Sequence, residues 1–230
     1  MKSSGMVRGS VRRAAIRGGE ETGGEVEGID AAAVLGEDDL KVVIPAVERL
    51  LGIDQRPGFI EVHRLAAFTP RSLDVDVVLD LMIHDLQILH ALDESPVAEV
   101  RATGISVLSD RIDIANTRIA LTSGCVANLT ASRVSAEKVR KLRAFLPSRG
   151  YYSVDYQRQE VKGFRLLMDG SERQIVPDPL EVERQEPLKR ELESFVRSCR
   201  QQPGPLVDGL AGRRALKTAL RVLAAIDEVG

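Results

Sequence analysis

Four polar residues interrupt an otherwise apolar run between Asp74 and Leu92: Asp76, Asp80, His84 and Gln87. At about 100° per residue, spacings of four, four and three put them on one narrow stripe of a helix. A helix that is apolar almost all round belongs inside a core. Ionisable groups there are costly unless they meet partners or face a cavity. Asp80 and His84, one turn apart, suit an acid/base pair on a pocket wall. The competing reading is an internal hydrogen-bond network with no chemistry.

The elements that would position this stripe can be read in order. Residues 1–38 are rich in Gly, Arg and Glu and sustain neither helical nor strand periodicity, so they read as a flexible arm, with a short helix near 29–35. Residues 39–230 read as one sheet-plus-helices domain. Asp38-Asp39 caps a helix from about Leu40 to Leu51, whose start Pro45 delays and whose end Gly52 marks. Alternating Phe59–Leu65 is a strand. Ser72 or Asp74 is the expected N-cap of the helix that carries the stripe.

After Pro96 the period changes to two. Strands are expected at Val97–Ser109, Ile112–Thr122, Cys125–Val134, Lys138–Leu146, Tyr151–Gln157 and Val161–Met168, with a hairpin turn at Ser123-Gly124. Pro177-Asp-Pro179 reads as a loop. Pro187 opens a helix with Leu188, Leu192, Phe195, Val196 and Cys199 on one face. A last helix, about Ala211–Glu228, carries Ala215, Leu216, Ala219, Leu220, Leu223 and Ile226 along one side. The sum is an α+β fold: a large, mostly antiparallel or mixed β-sheet of about seven strands, with helices packed on one face. The other face would be covered by self-association, giving a homo-oligomer.

Composition excludes several classes of function. The 230 residues carry a net charge of −2 and no Trp, with five Phe and three Tyr. Neither nucleic acid nor anionic membrane is attracted by such a balance, and bases find few stacking partners. The basic cluster Lys138, Arg140, Lys141 and Arg143 is expected to form cross-strand pairs with acidic residues. Nucleic-acid binding through Arg133–Arg149 fits that run but not the overall charge. The two cysteines, Cys125 and Cys199, lack metal-ligand spacing, so no metal is expected and both thiols suit a reducing compartment. With no signal-peptide pattern and no apolar run long enough to span a membrane, the expected location is the cytoplasm.

From about Val42 onward the chain resembles the C-terminal half of the Gfo/Idh/MocA oxidoreductases. Leu79-Asp-Leu-Met-Ile-His-Asp85 is similar to that family's D-x-x-x-H signature with its following Asp. Glu186–Phe195 and Gly212-Arg-Arg-Ala-Leu216 are similar to its last two helices, and Ile44–Leu50 to the helix that leads into its sheet domain. The resemblance implies a dehydrogenase using NAD or NADP on a sugar, cyclitol or sugar derivative. It implies that His84 accepts the hydroxyl proton and that Asp80 orients it or binds a neighbouring hydroxyl. Asp76 and Gln87 join them as substrate-binding candidates. So do His63 and Arg64 on the Phe59–Leu65 strand, of which one must point away from any pocket.

The sequence departs from the family pattern in three respects. It has no G-x-G-x-x-G, no ribose-binding acid after such a loop and no Glu-Lys-Pro, so no cofactor-binding residue is assigned. The expected picture is a substrate-binding and oligomerising half whose Rossmann half lies upstream or on a separate chain. Asp74-Val-Asp76 and Met82 stand where the family usually has glycines, and the 1–38 arm matches nothing in it. The alternative is a non-catalytic dimerisation and small-ligand-binding module built on the same fold.

Overall fold

A computed structural model of the chain describes residues 45–69, 73–169, 172–200 and 208–227. The arm, its short helix and residues 40–44 of the first helix lie outside the described residues, as does Ser72. Alternation builds the sheet. In β1 (Phe59–Leu65), Ile60, Val62 and Arg64 point to one face and are buried, while Phe59, Glu61, His63 and Leu65 point to the other. β1 is central: it pairs parallel with β4 (Val126–Ser132) and antiparallel with β5 (Val139–Leu146). β2 (Val97–Ile105) and β3 (Ile114–Leu121) extend the sheet beyond β4. β6 (Gly150–Asp155), β7 (Glu160–Asp169) and β8 (Glu172–Pro177) extend it beyond β5, in the order β2-β3-β4-β1-β5-β6-β7-β8.

This is an eight-stranded mixed sheet, one strand more than the alternation suggests. The additional strand, β8, is missed because it is a polar edge strand: most of its residues are exposed, so it lacks a buried face to betray it. β2 stops at Ile105 instead of Ser109 because the Asp113 carboxylate turns the chain. Its Oδ2 accepts the N–H groups of Val107, Leu108 and Ser109 at 2.6–2.9 Å. The hairpin between β3 and β4 turns at Gly124, whose φ of 90° is a conformation that glycine adopts without steric cost.

Helices cover one face. α1 (Pro45–Leu51) begins the described chain with Pro45 in its first turn. The central helix starts with a π turn, Val78–Met82, and continues as α2 (Ile83–Leu92). No side chain caps its start at Val77, so Asp74 does not have the expected capping role. α3 (Pro187–Cys199) is tied to α1 by Arg190, whose Nη2 donates to both carboxylate oxygens of Glu48 at 2.7 Å. Its apolar stripe faces outward, with Leu192, Phe195 and Val196 exposed.

α4 (Gly209–Asp227) packs on α2 and β2. Its buried face is Ala215, Thr218, Ala219, Val222 and Ile226, rotated from the expected one, with Leu216 and Leu220 pointing outward. Small residues win the inner positions because they let two helix backbones approach closely. No described helix is long and apolar enough to cross a membrane.

The start of the central helix is pinned to the sheet by polar contacts. Asp76 Oδ1 accepts the Ile112 N–H at 2.9 Å, and the Val77 N–H donates to Ile112 O at 2.9 Å. Arg133 donates to Val75 O at 2.6 Å and Ile112 O at 3.0 Å, and pairs with Asp113 at 3.0 Å. Burial alone would push the Asp113 carboxyl up, but the Ser109 hydroxyl and the three N–H groups outweigh it and hold it well below the usual carboxylate range. A depressed carboxylate contributes stability that is full above its unfolded value of about 3.9 and is lost as pH falls through the folded value. Thermal melts from pH 7 down to pH 2.5 are therefore expected to show a shallower acid-side loss for Asp113→Asn than for the parent chain, from a lower starting Tm at pH 7.

Candidate functional site

The site is built where the inward end of β1 meets α2. Arg64 follows Ile60 and Val62 on the covered face, so the sheet pleat drives a guanidinium into the core. There it meets Asp85 in a fork: Nε donates to Oδ2 and Nη2 to Oδ1, both at 2.6 Å. The two side chains are 1% and 2% exposed. The Tyr156 ring lies 5.7 Å from the guanidinium carbon, within cation–π range. Burial, reinforced by Asp85, keeps the Tyr156 hydroxyl protonated well above its ordinary range.

Asp85 adjoins His84, which is 2% exposed. The Arg64–Asp85 fork thus sets the rotation of α2 about its axis and with it the direction of the His84 ring. Asp80 lies half-buried within the π turn, which closes with the Ile83 N–H on Val78 O. A π turn widens the helix locally and is common at functional positions. It also alters the rotation per residue, so the single stripe expected from 3.6-residue spacing does not continue unbroken from Asp76 to Gln87.

The sequence candidates separate accordingly. Asp80 and His84 share the central helix with Gln87, which is buried at 9% exposure. Arg64 joins this layer through Asp85. Asp76 spends its carboxylate on the Ile112 backbone. His63 points to the open face, where it lies 3.3 Å from Glu61, and the sheet separates it from His84. The basic cluster splits by the same alternation: Arg143 pairs with Glu61 at 3.1 Å on the open face, whereas Arg140 stands opposite Arg64 in register.

Sequence reasoning assigned no role to Asp85, Tyr156 or the Asp113–Arg133 pair. For Asp85 a signal was present: a second carboxylate directly after His84 on an apolar helix requires a cation, and Arg64 is at inward parity in the preceding strand. Cys125 is buried and its thiol is pushed up to about 11 by burial and then by Asp93, which removes it from thiolate chemistry. Truncating one member of a buried pair strands the other charge, at about 3–5 kcal/mol. Arg64→Ala is expected to lose that much in urea unfolding at pH 7. Arg64→Met combined with Asp85→Leu should lose markedly less, showing as positive coupling in a double-mutant cycle.

No family model matches the chain. Over 206 residues it is 36% identical to the UDP-N-acetylglucosamine 3-dehydrogenase of Acidithiobacillus ferrooxidans, a match covering 84% of this chain and 63% of that protein. The chain therefore spans less than two thirds of this curated relative. The crystal structure of that enzyme, GnnA, aligns with a TM-score of 0.73 at 36% identity, covering 82% of this chain and 60% of the other. The fold is shared more widely. An NAD-binding oxidoreductase from Klebsiella pneumoniae aligns at TM-score 0.67 and 15% identity, covering 82% and 63% of the two chains. Levoglucosan dehydrogenase in complex with NADH and L-sorbose aligns at TM-score 0.66 and 14% identity, covering 81% and 62%. With its helix-backed mixed sheet and its D-x-x-x-H helix, the chain matches the C-terminal sheet domain of the Gfo/Idh/MocA oxidoreductases, the family of the Acidithiobacillus ferrooxidans enzyme.

Proposed function

We propose that this chain supplies the substrate side of an NAD(P)-dependent oxidation of a sugar derivative, with a UDP-N-acetylhexosamine as the first candidate. The observation that carries this reading is His84, nearly fully buried one turn after Asp80 and held in rotation by the Asp85–Arg64 fork. A histidine so placed takes the proton released when a hydroxyl becomes a carbonyl. Asp80 orients the imidazole or binds a neighbouring hydroxyl. Gln87 lies further along the same helix, and Asp76 contributes by anchoring the helix start. The unpaired cysteines suit the cytoplasm as the place of reaction.

The described residues do not fit a dinucleotide. Their sheet has one parallel pair, β1 with β4, and no glycine loop leads from a strand into a helix. Gly209 and Gly212 do open α4, but the Asp208 carboxylate accepts the Ala211 N–H at 2.8 Å and would repel a pyrophosphate there. The redox side of the reaction thus belongs to residues outside those described or to another chain. The outward apolar stripe of α3 is a surface that such a unit would cover. The same lack of a cradle favours a second reading, a ligand-binding and dimerisation module without turnover.

Calorimetric titration of the 230-residue chain with UDP-N-acetylglucosamine tests the substrate reading. Saturable binding is expected, weakened at least about tenfold by His84→Gln in a variant that still unfolds cooperatively. Binding that ignores this substitution would place the ligand elsewhere and sink the assignment. A parallel titration with NADH and NADPH, read by cofactor fluorescence in a chain with no Trp, is expected to show no saturation below about a millimolar, far weaker than a working cofactor site.

The open sheet face is proposed as the homo-oligomer interface. Phe59, Phe145, Tyr151 and Phe164 form a row across four strands, with successive ring centroids 5.6, 5.7 and 5.4 Å apart. Beside the row lie Glu61, Arg143 and His63, polar groups able to pair across a two-fold axis. Sedimentation equilibrium is expected to show a dimer or larger assembly for the parent chain and a monomer for Tyr151→Glu.

A further inference from the structure

A cleft of about 480 Å³ lies between the C-terminal end of α2, the loop after it and the first half of α4. It sits six residues along α2 from His84, about 9 Å at 1.5 Å per residue, and on a different side of the helix. Its walls are basic: Arg213, Arg214, Lys217 and Arg221 line it against the single carboxylate of Glu94.

This placement of charge works against the helix that carries it. Arg213, Lys217 and Arg221 follow at intervals of four, so like charges are neighbours along one face. Arg213 and Lys217 lie in the N-terminal half of α4, whose first turn holds no acidic residue to pair with them. Asp93 does not line the cleft; its carboxylate accepts from the Ser95 N–H at 2.9 Å and the Ser123 hydroxyl at 2.6 Å. Neither Arg213 nor Lys217 has an ion-pair partner among the described residues.

The cleft is also held in shape. Arg221 donates to Val97 O at 2.9 Å and Arg214 reaches Glu94 O at 3.5 Å, tying α4 to the 94–97 loop. At its floor lies His90, 6% exposed. The Thr218 hydroxyl donates to Arg214 O at 3.2 Å, so it accepts from His90 Nε2–H at 2.8 Å. That leaves His90 Nδ1 as a buried nitrogen with no hydrogen-bond partner, the kind of group that a ligand or ion explains.

We propose that this cleft binds a phosphoryl anion, a phosphate or diphosphate group, between Arg213, Lys217 and Arg221, with His90 beneath it. An anion there removes the repulsion along α4 and gives the imidazole a group with which to share a proton. Without an anion, burial and then Arg214 push the His90 imidazole down to about 4, against a smaller opposing effect of Asp93. The site uses neither Asp80 nor His84, and binding of inorganic phosphate there does not depend on the function proposed above.

The test is calorimetric titration of the full chain with inorganic phosphate and with pyrophosphate at fixed ionic strength, alongside NMR of the three histidine rings. Saturable binding is expected, weakened at least about tenfold in Arg213→Ala/Lys217→Ala, a variant of exposed residues that does not lower Tm. The His90 signals should move on binding while those of His63 and His84 stay. If the double variant loses phosphate but keeps UDP-N-acetylglucosamine, the occupant is a free phosphoryl ligand. If it loses both, the occupant is the diphosphate of the sugar nucleotide. A response matched by sodium chloride, or binding that the double variant and the His90 signals ignore, would overturn the proposal.

Discussion

A buried ion pair organises the structure. Arg64 ends the inward series of the central strand, and Asp85 stands on the helix that crosses above it. Neither can be in this layer without the other, since an isolated charge at 1–2% exposure would carry its full desolvation cost. Such a pair adds little net stability compared with a well-packed apolar replacement. What it contributes is registry: one rotation and one height of α2 satisfy both bonds of the fork. Because His84 precedes Asp85 directly, the direction of the imidazole follows from a contact made by its neighbour.

The rest of the covered face is consistent with this clamp. β1 has strands on both sides, so its inward residues are enclosed by Ala127 and Leu129 of β4 and by Leu142 and Ala144 of β5. The helix start is fixed by a second polar group, Asp76 and Arg133 on the 112–113 turn, while Asp113 shapes the loop after β2. The π turn lies between these two anchors. A helix held on either side of its π turn, with one additional residue accommodated between the anchors, presents Asp80 in a position that a regular helix would not.

The two faces of the sheet divide the work. The helix-covered face holds the buried polar chemistry, whereas the open face carries a row of aromatic rings beside a charge ladder. Every strand contributes to both by simple alternation, which is why Arg64 and His63, adjacent in sequence, serve different surfaces. The polar groups of the helix layer are likewise concentrated at the two ends of α2, with Asp80, His84 and the Arg64–Asp85 fork toward one and His90 with Thr218 toward the other.

Much of this was written into the sequence. Period-two alternation set the strands and their faces, and the all-round apolar run from Val77 to Leu92 identified the central buried helix. The Asp80–His84 spacing marked the candidate chemistry, because these properties are local and repeat along the chain. Other features depended on contacts between distant residues. The polar edge strand β8 exists because β7 offers it a partner, and its own pattern is weak. The inward face of α4 was decided by how close α2 comes, which favours Ala215 and Ala219 over Leu216 and Leu220. Arg64 and Asp85 are 21 positions apart, and His90 and Thr218 are 128 apart. Periodicity tells which way each side chain points, but the pairing of two buried polar groups is settled only when the packed elements bring them within hydrogen-bonding distance.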